Sequence, residues 1–248
     1  MAERKMCSRR DAERYISAGD VYVNGEQIQQ DWIKIPRDSC VEFSGKAVKA
    51  EKQKVSVILN KPLGYVSSQP EPMRKPAIEL LSIQNAFQLT ARWYGKEPKS
   101  LSKLAVCGRL DINSTGLLLF TQDGVLAKQI LDPNGGVEKE YLVRVDMDLE
   151  RDTKQAEEVV DKLREGFIWN DICYRARSVR VLNANQLQFI LTEGKKRHIR
   201  YMCEAVGIKA HYQSASGATF CQMNQHNGAI FSFQKSFANL VLVYDVSL

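Results

Sequence analysis

The stretch of residues 106–124 constrains the fold of this chain most. A polar turn that ends at Gly116 is followed at once by the apolar run Leu117–Phe120, which is bounded by turn residues. Such a run is typical of a buried strand. Asp111 comes just before the turn, so we expect its carboxylate at the lip of a rigid strand. A carboxylate held there can serve as a nucleophile, although an ordinary aspartate that caps a turn would look similar.

Length and composition narrow the class of protein. A chain of 248 residues with a net charge of +6 can form one large domain, or a medium domain with a small appendage, and can bind a phosphate-rich partner. Six cysteines without a C-x-x-C pair and three histidines argue against a zinc site and favour reduced thiols inside the cell. The N-terminus is polar and lacks the apolar core of a signal peptide, so we do not expect secretion. No apolar stretch is long enough to span a bilayer, so we do not expect membrane insertion. Dinucleotide, phosphate-loop and metalloprotease motifs are absent, so we expect no cofactor and no metal.

Residues 1–45 are predicted to form a small unit of their own. Ser8 can cap a helix over residues 9–16, and a strand at residues 21–26 enters an Asn-Gly turn that is typical of a hairpin. A last short strand is predicted at residues 41–43, and this order of elements resembles the S4 RNA-binding module. Only residues 1–7 precede the helix, where the S4 module usually has a fuller first helix. Arg9, Arg10 and Arg14 lie on about one helix face and are candidate RNA contacts, although a solvated basic helix would show the same pattern.

The lysine-rich residues 46–54 lack apolar periodicity and are predicted to be a linker. A second domain is predicted over residues 55–248. Its strands are expected at 55–60, 117–121, 139–145, 177–182 and 186–193, and its helices at 77–81, 125–131, 152–165 and 196–206. Because the strands outnumber the helices and come in hairpin-like pairs, the fold class is predicted as α+β with a mainly antiparallel sheet.

Four ordered segments between about residue 57 and residue 207 resemble the motifs of the RNA pseudouridine synthases. They are Leu59–Ser67 with its Lys-Pro-Leu-Gly turn, Gly108–Gly124 around Asp111, Lys139–Val143, and Leu191–Cys203. The resemblance is to the branch that contains the bacterial ribosomal RNA enzymes RsuA and RluF. It implies a two-domain protein in which an S4 module precedes a pseudouridine synthase domain.

The resemblance also implies a role for particular residues. Asp111 would be the catalytic nucleophile, Arg200 the basic residue that pairs with it, and Tyr141 the aromatic residue that contacts the target base. Arg109 would hold the flipped nucleotide or fill the space that it leaves. The concentrated positive charge at Lys195, Lys196 and Arg197 is expected to neutralise phosphates, and Lys61 is expected to contribute in the same way.

The predicted function is the isomerisation of a specific uridine to pseudouridine in RNA, which needs neither a redox cofactor nor a metal. The branch that the chain resembles implies ribosomal RNA as the substrate, with transfer RNA as an alternative, and we expect an intracellular monomer. A second hypothesis is a non-catalytic RNA-binding or ribosome assembly protein that retains the fold. The retention of Asp111, Tyr141 and Arg200 favours the enzyme, whereas the short N-terminal segment and an atypical tail favour the binder.

Two segments depart from the family pattern. Residues 84–103 read as an insertion whose Arg, Trp, Tyr and Lys side chains can stack on bases or, as we favour, pack the insertion onto its own domain. The tail, residues 208–248, shifts in composition to Ser, Gln, Asn and Ala. Its apolar run Leu240–Tyr244 is a candidate for a substitute strand at the edge of the fold.

Overall fold

A computed structural model describes residues 1–67, 72–82, 85, 103–134, 137–216 and 240–245. The predicted insertion at residues 84–103 and the middle of the tail, residues 217–239, fall almost wholly outside these ranges.

The N-terminal unit has the helix, hairpin and strand that the sequence predicts. Its elements are α1 (Arg9–Ser17), β1 (Val21–Val23), β2 (Glu26–Ile28), β3 (Val41–Phe43) and α2 (Gly45–Lys52). The hydroxyl of Ser8 accepts a hydrogen bond from the Asp11 N–H, which caps α1 as expected. Asn24 and Gly25 both have a positive φ and join β1 to β2 in a tight turn. The three strands form an antiparallel sheet with β1 in the centre.

The predicted linker at residues 46–54 is wrong, because most of it forms helix α2. Ser44 caps this helix by accepting a hydrogen bond from the Ala47 N–H. Ala47 is buried, and Ala50 packs against the same small core as Tyr15. The helix buries only a narrow strip of small side chains, so the exposed lysines dominate its sequence and hide the helical pattern.

The second domain is built on an eight-stranded mixed sheet. In spatial order the strands run β12 (Ser178–Asn183), β13 (Gln186–Leu191), β9 (Lys139–Val145), β14 (Ala210–Ser216), β8 (Ser114–Thr121), β4 (Ser56–Lys61) and β15 (Leu240–Asp245), and β7 (Ala105–Cys107) also pairs with β8. Within the described sheet, β14 is parallel to β8 and β15 is parallel to β4, and the remaining pairs are antiparallel. The predicted α+β class with a mainly antiparallel sheet is confirmed.

Helices cover this sheet and leave smaller elements at its rim. They are α3 (Gly124–Leu131), α4 (Thr153–Glu165) and α5 (His198–Ala205), with a 3₁₀ turn at Ala77–Leu80, a two-stranded sheet of β5 (Tyr65–Val66) and β6 (Lys75–Pro76), and a hairpin of β10 (Phe167–Trp169) and β11 (Ile172–Tyr174). Helices α4 and α5 bury their apolar faces against β9, β12 and β13. Helix α3 packs on Ile58, Cys107 and Leu119. Within the described residues, no helix is long and apolar enough to cross a membrane.

The predicted strands and helices of this domain form close to the expected bounds, except that the helix predicted at 77–81 is a 3₁₀ turn. The strands β5, β6, β7, β10, β11 and β14 were not predicted. Strand β8 begins at Ser114, three residues earlier than predicted, because the polar turn residues already pair with β14. Strand β14 was missed, since its sequence, AHYQSAS, lacks an apolar alternation. The run at 240–244 does form a strand, β15, which is parallel to β4.

Candidate active site

Asp111 lies in the loop between β7 and β8, directly before the buried strand. The N–H of Ser114 donates a 3.0 Å hydrogen bond to the Asp111 carbonyl oxygen, which closes the turn into β8. Earlier in the loop, Gly108 has a φ of 95°, a conformation that favours glycine. The Asp111 side chain is 35% exposed, so a substrate can reach it.

Arg200 brings a guanidinium to this carboxylate from α5. Its Nε lies 3.1 Å from Oδ2 of Asp111, across 89 residues of sequence. Helix α5 is fixed by Met202 and Cys203, which are buried in the large core. The Arg200 side chain is only 16% exposed, so the ion pair is partly shielded from water and attracts more strongly than a surface pair.

Lys61 has a different place from the one predicted, and its assignment to phosphate binding is corrected. The residue is 0% exposed at the end of β4. Its Nζ donates hydrogen bonds to the carbonyl oxygens of Pro62 at 2.8 Å and Tyr65 at 3.0 Å. Burial lowers the pKa of Lys61 to about 8, against the opposing effect of the nearby Asp111 charge. Lys61 therefore holds the turn that follows β4 and is not available to a phosphate.

The same turn also fixes the main chain on either side of Asp111. The hydroxyl of Ser67 donates to the Leu110 carbonyl oxygen at 2.7 Å and accepts from the Leu110 N–H at 2.9 Å. The N–H of Gly64 donates to the Ile112 carbonyl oxygen at 2.9 Å. Sequence reasoning assigned no role to Ser67. The separation of 43 residues between Ser67 and Leu110 leaves no local pattern that would reveal their contact.

Tyr141 lies on β9 and lines the same cavity as Asp111. Burial, and then the Asp111 charge, raise the pKa of Tyr141 to about 12. The phenol therefore keeps its proton at neutral pH and can act as a hydrogen-bond donor beside the carboxylate. Strand β14 lies between β9 and β8 in the sheet, so Tyr141 reaches the cavity from β9 and Asp111 from the loop that precedes β8.

The cavity has a volume of about 350 Å³, which is in the usual range for a small-ligand site. Asp111, Arg109 and Tyr141 line one part, and the segment from Gly194 to Ile199 lines another. Arg109 is exposed. The structure thus brings together an anionic group, an aromatic ring and several cations around a space that a flipped base can enter.

The cations of the basic segment before α5, residues 195–197, differ in how far they are already engaged by other groups. The Lys195 ammonium is already engaged, since it pairs with the Glu193 carboxylate and donates to the Cys173 carbonyl oxygen at 2.6 Å. Lys196 and Arg197 are exposed. Arg197 has a left-handed backbone with a φ of 56° immediately before α5. Its guanidinium also lies 3.6 Å from the Glu204 carboxylate and 5.6 Å from the centre of the Tyr201 ring.

The three arginines of α1 lie on the N-terminal unit and do not line this cavity. All three are exposed. Arg14 pairs with Asp11 at 2.9 Å, and its guanidinium carbon lies 4.9 Å from the centre of the Tyr15 ring. Arg9 lines a separate cleft of about 750 Å³ between the N-terminal unit and α3. Among the described residues, no group of three or more His, Cys, Asp or Glu side chains is arranged to hold a metal ion.

Comparison with known proteins gives one consistent family. The profile described as RNA pseudouridylate synthase matches residues 55–205. An uncharacterised RNA pseudouridine synthase of Aquifex aeolicus is 33% identical over 83% of this chain and 77% of its own length. Ribosomal large subunit pseudouridine synthase B of Xylella fastidiosa is 32% identical over 84% of this chain, but the match covers only 42% of that longer protein. A solved pseudouridylate synthase aligns with a TM-score of 0.54 and 22% identity, over 86% of this chain and 84% of the other, and shows a shared fold.

Proposed function

Because this chain belongs to the RNA pseudouridylate synthase family and is an RNA uridine isomerase, we propose that Asp111 is its nucleophile and ribosomal RNA its substrate. The isomerisation breaks the bond between C1′ of the ribose and N1 of uracil, and the rotated base rejoins C1′ through C5. The proton on C5 is lost and N1 gains one, so no atom of the base is removed and no electron is transferred.

Each proposed role rests on the position of one side chain. The Asp111 carboxylate forms or promotes the covalent intermediate, and Arg200 orients it through their 3.1 Å ion pair. Tyr141 contacts the extruded uracil, and its protonated hydroxyl assists proton movement at the base. Arg109 holds the flipped nucleotide from the rim, while Lys196 and Arg197 neutralise phosphates. The observation that carries this proposal is that Asp111, which lines the same cavity as Tyr141, lies 3.1 Å from the guanidinium of Arg200.

The choice of substrate rests on relatives and on the N-terminal unit. Several relatives, from Xylella, Xanthomonas and Pseudomonas, are named as ribosomal large subunit pseudouridine synthases B. The helix and hairpin at residues 9–28 resemble an S4 module, and Arg9 and Arg10 present exposed charge on its helix. We therefore propose that this unit guides structured ribosomal RNA to the cavity, in the branch of RsuA and RluF. The enzyme would act as a monomer inside the cell, where the RNA is.

Release of tritium from C5 of uridine in ribosomal RNA transcripts tests this proposal. The wild type should release tritium, and the Asp111→Asn variant should not, because the amide keeps the shape of the carboxylate but not its charge or nucleophilicity. We expect turnover to fall by on the order of 10⁴-fold, comparable with the largest contribution of a single general acid or base. Asp161→Asn is the matched control, since Asp161 is exposed on α4, pairs with Arg164 and does not line the cavity.

The outcomes separate the two hypotheses for this chain. Tritium release that survives in Asp111→Asn would remove Asp111 from the nucleophile's role. RNA binding without any release by the wild type would favour the non-catalytic RNA-binding protein. Release from transfer RNA alone would overturn the choice of ribosomal RNA while keeping the chemistry.

A further inference from the structure

The hairpin of β10 and β11 carries an exposed apolar tip beside the active site. Ile168 is 74% exposed, Trp169 56% and Ile172 41%. Within the described residues, these two strands pair with each other alone. Asn170 and Asp171, both with a positive φ, close the hairpin in a tight turn. A tryptophan and two isoleucines displayed on so small an element are unusual for a surface that contacts only water.

The base of the hairpin is rigid, so its tip has a fixed position. Phe167 stacks on Tyr174 with ring centres 5.3 Å apart, and Tyr174 packs edge-on against His198 and Tyr201 of α5. Gly166, with a φ of 77°, leads into the hairpin where an added Cβ would lie 2.5 Å from the Tyr174 carbonyl oxygen. The hairpin is thus anchored on the helix that supplies Arg200.

The two faces of the hairpin differ. Cross-strand partners are Phe167 with Tyr174 and Trp169 with Ile172. Because side chains alternate along a strand, these four lie on one face, and Ile168 lies on the opposite face. The Trp169–Ile172 pair lies roughly 7 Å farther along the strands than the pair formed by the partly buried Phe167 and the buried Tyr174. The exposed indole therefore extends an aromatic surface that begins in the core.

Positive charge lies next to this aromatic surface. The Lys195 ammonium donates to the carbonyl oxygen of Cys173 in β11, and its Nζ lies 5.8 Å from the centre of the Tyr174 ring. Lys195 also lines the active-site cavity, as do the exposed Lys196 and Arg197. Arg175, which follows β11, is exposed too. Aromatic rings among cations are the combination that binds unpaired nucleotides, through stacking and phosphate contacts.

We propose that Trp169 is a stacking platform for an unpaired RNA base that flanks the target uridine. The proposal rests on the proposed function, since the flipped uridine in the cavity would bring its neighbouring nucleotides past the Lys195–Arg197 segment. Phosphates lie on the basic segment, and the next base lies on the indole, with Ile172 at its edge. The hairpin thereby helps to choose which uridine enters, because a base-paired neighbour cannot stack there.

The test compares two RNA probes of equal charge. One is a single-stranded oligouridylate of about 12 nucleotides, within the range of site sizes for such grooves, and the other is its base-less ribose-phosphate counterpart. Wild-type protein should bind the first more tightly. In Trp169→Ala this preference should fall by roughly 5- to 150-fold, the equivalent of one lost stacking contact, with little change for the base-less probe.

Two further variants sharpen the result. Trp169→Phe keeps an aromatic face and should restore most of the preference. Ile168→Ala removes an even more exposed side chain from the opposite face of the same hairpin and should bind both probes like the wild type. Far-ultraviolet circular dichroism of each variant checks that the hairpin substitutions leave the fold intact.

An unchanged preference in Trp169→Ala overturns the inference, as does an equal loss of affinity for both probes. A change in sedimentation mass without a change in RNA binding would also overturn it, and would assign the tip to a contact between copies of the chain. The proposed function fails separately. If the wild type releases no tritium from ribosomal RNA yet shows the Trp169-dependent preference, the catalytic proposal is lost and the stacking platform stands.

Discussion

At the scale of single residues, the turn beside Asp111 depends on a buried cation. The Lys61 ammonium is fully enclosed, with two main-chain carbonyl oxygens as acceptors and the Asp111 charge nearby. Burying an ammonium is costly unless such partners compensate it. Lysine is among the residues least often buried, and main-chain acceptors leave no mark in a sequence. For this reason the motif around Lys61 could be recognised from sequence, but the position of its side chain could not.

Lys61→Met should change how the free energy of unfolding depends on pH. The pKa of Lys61 is about 8 in the folded protein against 10.5 without burial, so the unfolded chain binds more protons between these values. Through this group, the free energy of unfolding of the wild type should therefore rise by about 3 kcal/mol as the pH increases from 8 to 10.5. The same contribution should be lost again as the pH is lowered from 10.5 to 8. The variant lacks this rise. Urea unfolding across the range measures it.

Lys75→Met is the control for that experiment, because Lys75 is exposed. It should keep the wild-type dependence of stability on pH. The other groups that titrate in this range are shared by all three proteins and cancel in the comparison. If Lys61→Met kept the same rise, the buried ammonium would not be the source of it.

At the scale of elements, the sequence predicted those with strong periodicity and missed those without it. The long apolar run gave β8, and residues 139–145 gave β9 at its observed bounds. Helix α2 was missed because only Ala47 and Ala50 face the core. Strand β14 was missed because it is stabilised by backbone pairing with the strands on both sides, β9 and β8, and its sequence shows no strand pattern. Its pairing partners lie more than 60 residues earlier in the chain, and local patterns carry no record of them.

The segment before α5 allows a test of which cations meet phosphates. Lys196 is exposed, whereas the Lys195 ammonium is engaged with Glu193 and the Cys173 carbonyl oxygen. Lys196→Ala should reduce the slope of log affinity against log salt concentration by about 0.7 to 0.9, the value for one released counterion. Lys195→Ala should reduce it less. Fluorescence anisotropy of labelled RNA at several salt concentrations measures both slopes, and equal slopes for Lys196→Ala and the wild type would contradict the phosphate contact.

At the scale of the whole molecule, the N-terminal unit and the second domain are in close contact at one point. Gly124, the first residue of α3, faces Ser8, the cap of α1, and a Cβ added at Gly124 would lie 2.5 Å from the Ser8 Cβ. Next to this contact lies the cleft of about 750 Å³, with Lys5, Arg9 and Lys128 in its lining. The placement of the unit relative to the cavity therefore depends on a close approach between two helix starts.

Gly124→Ala should disturb this approach, since neither side of the contact can move without shifting a helix. We expect a loss of ~1–3 kcal/mol in unfolding free energy, as for other overpacked sites, together with weaker RNA binding. Gly45→Ala is the matched control. Gly45 also begins a helix, but open space surrounds its Cβ position, so the substitution should be neutral or slightly stabilising. Thermal unfolding and RNA affinity of both variants make the comparison, and a Gly124→Ala protein as stable as Gly45→Ala would refute the tight contact.

Strand β14 sets the distance between the strand that carries Tyr141 and the strand that follows Asp111. Its backbone pairs with β8, just after Asp111, on one side and with the strand of Tyr141 on the other, so that Ala215 lies opposite both Gly116 and Tyr141. Asp111, the proposed nucleophile, and Tyr141 are thus separated in the sheet by one strand, which comes late in the sequence. Until synthesis passes residue 216, this backbone link between Asp111 and Tyr141 is missing, and we expect the nascent chain to be inactive toward uridine.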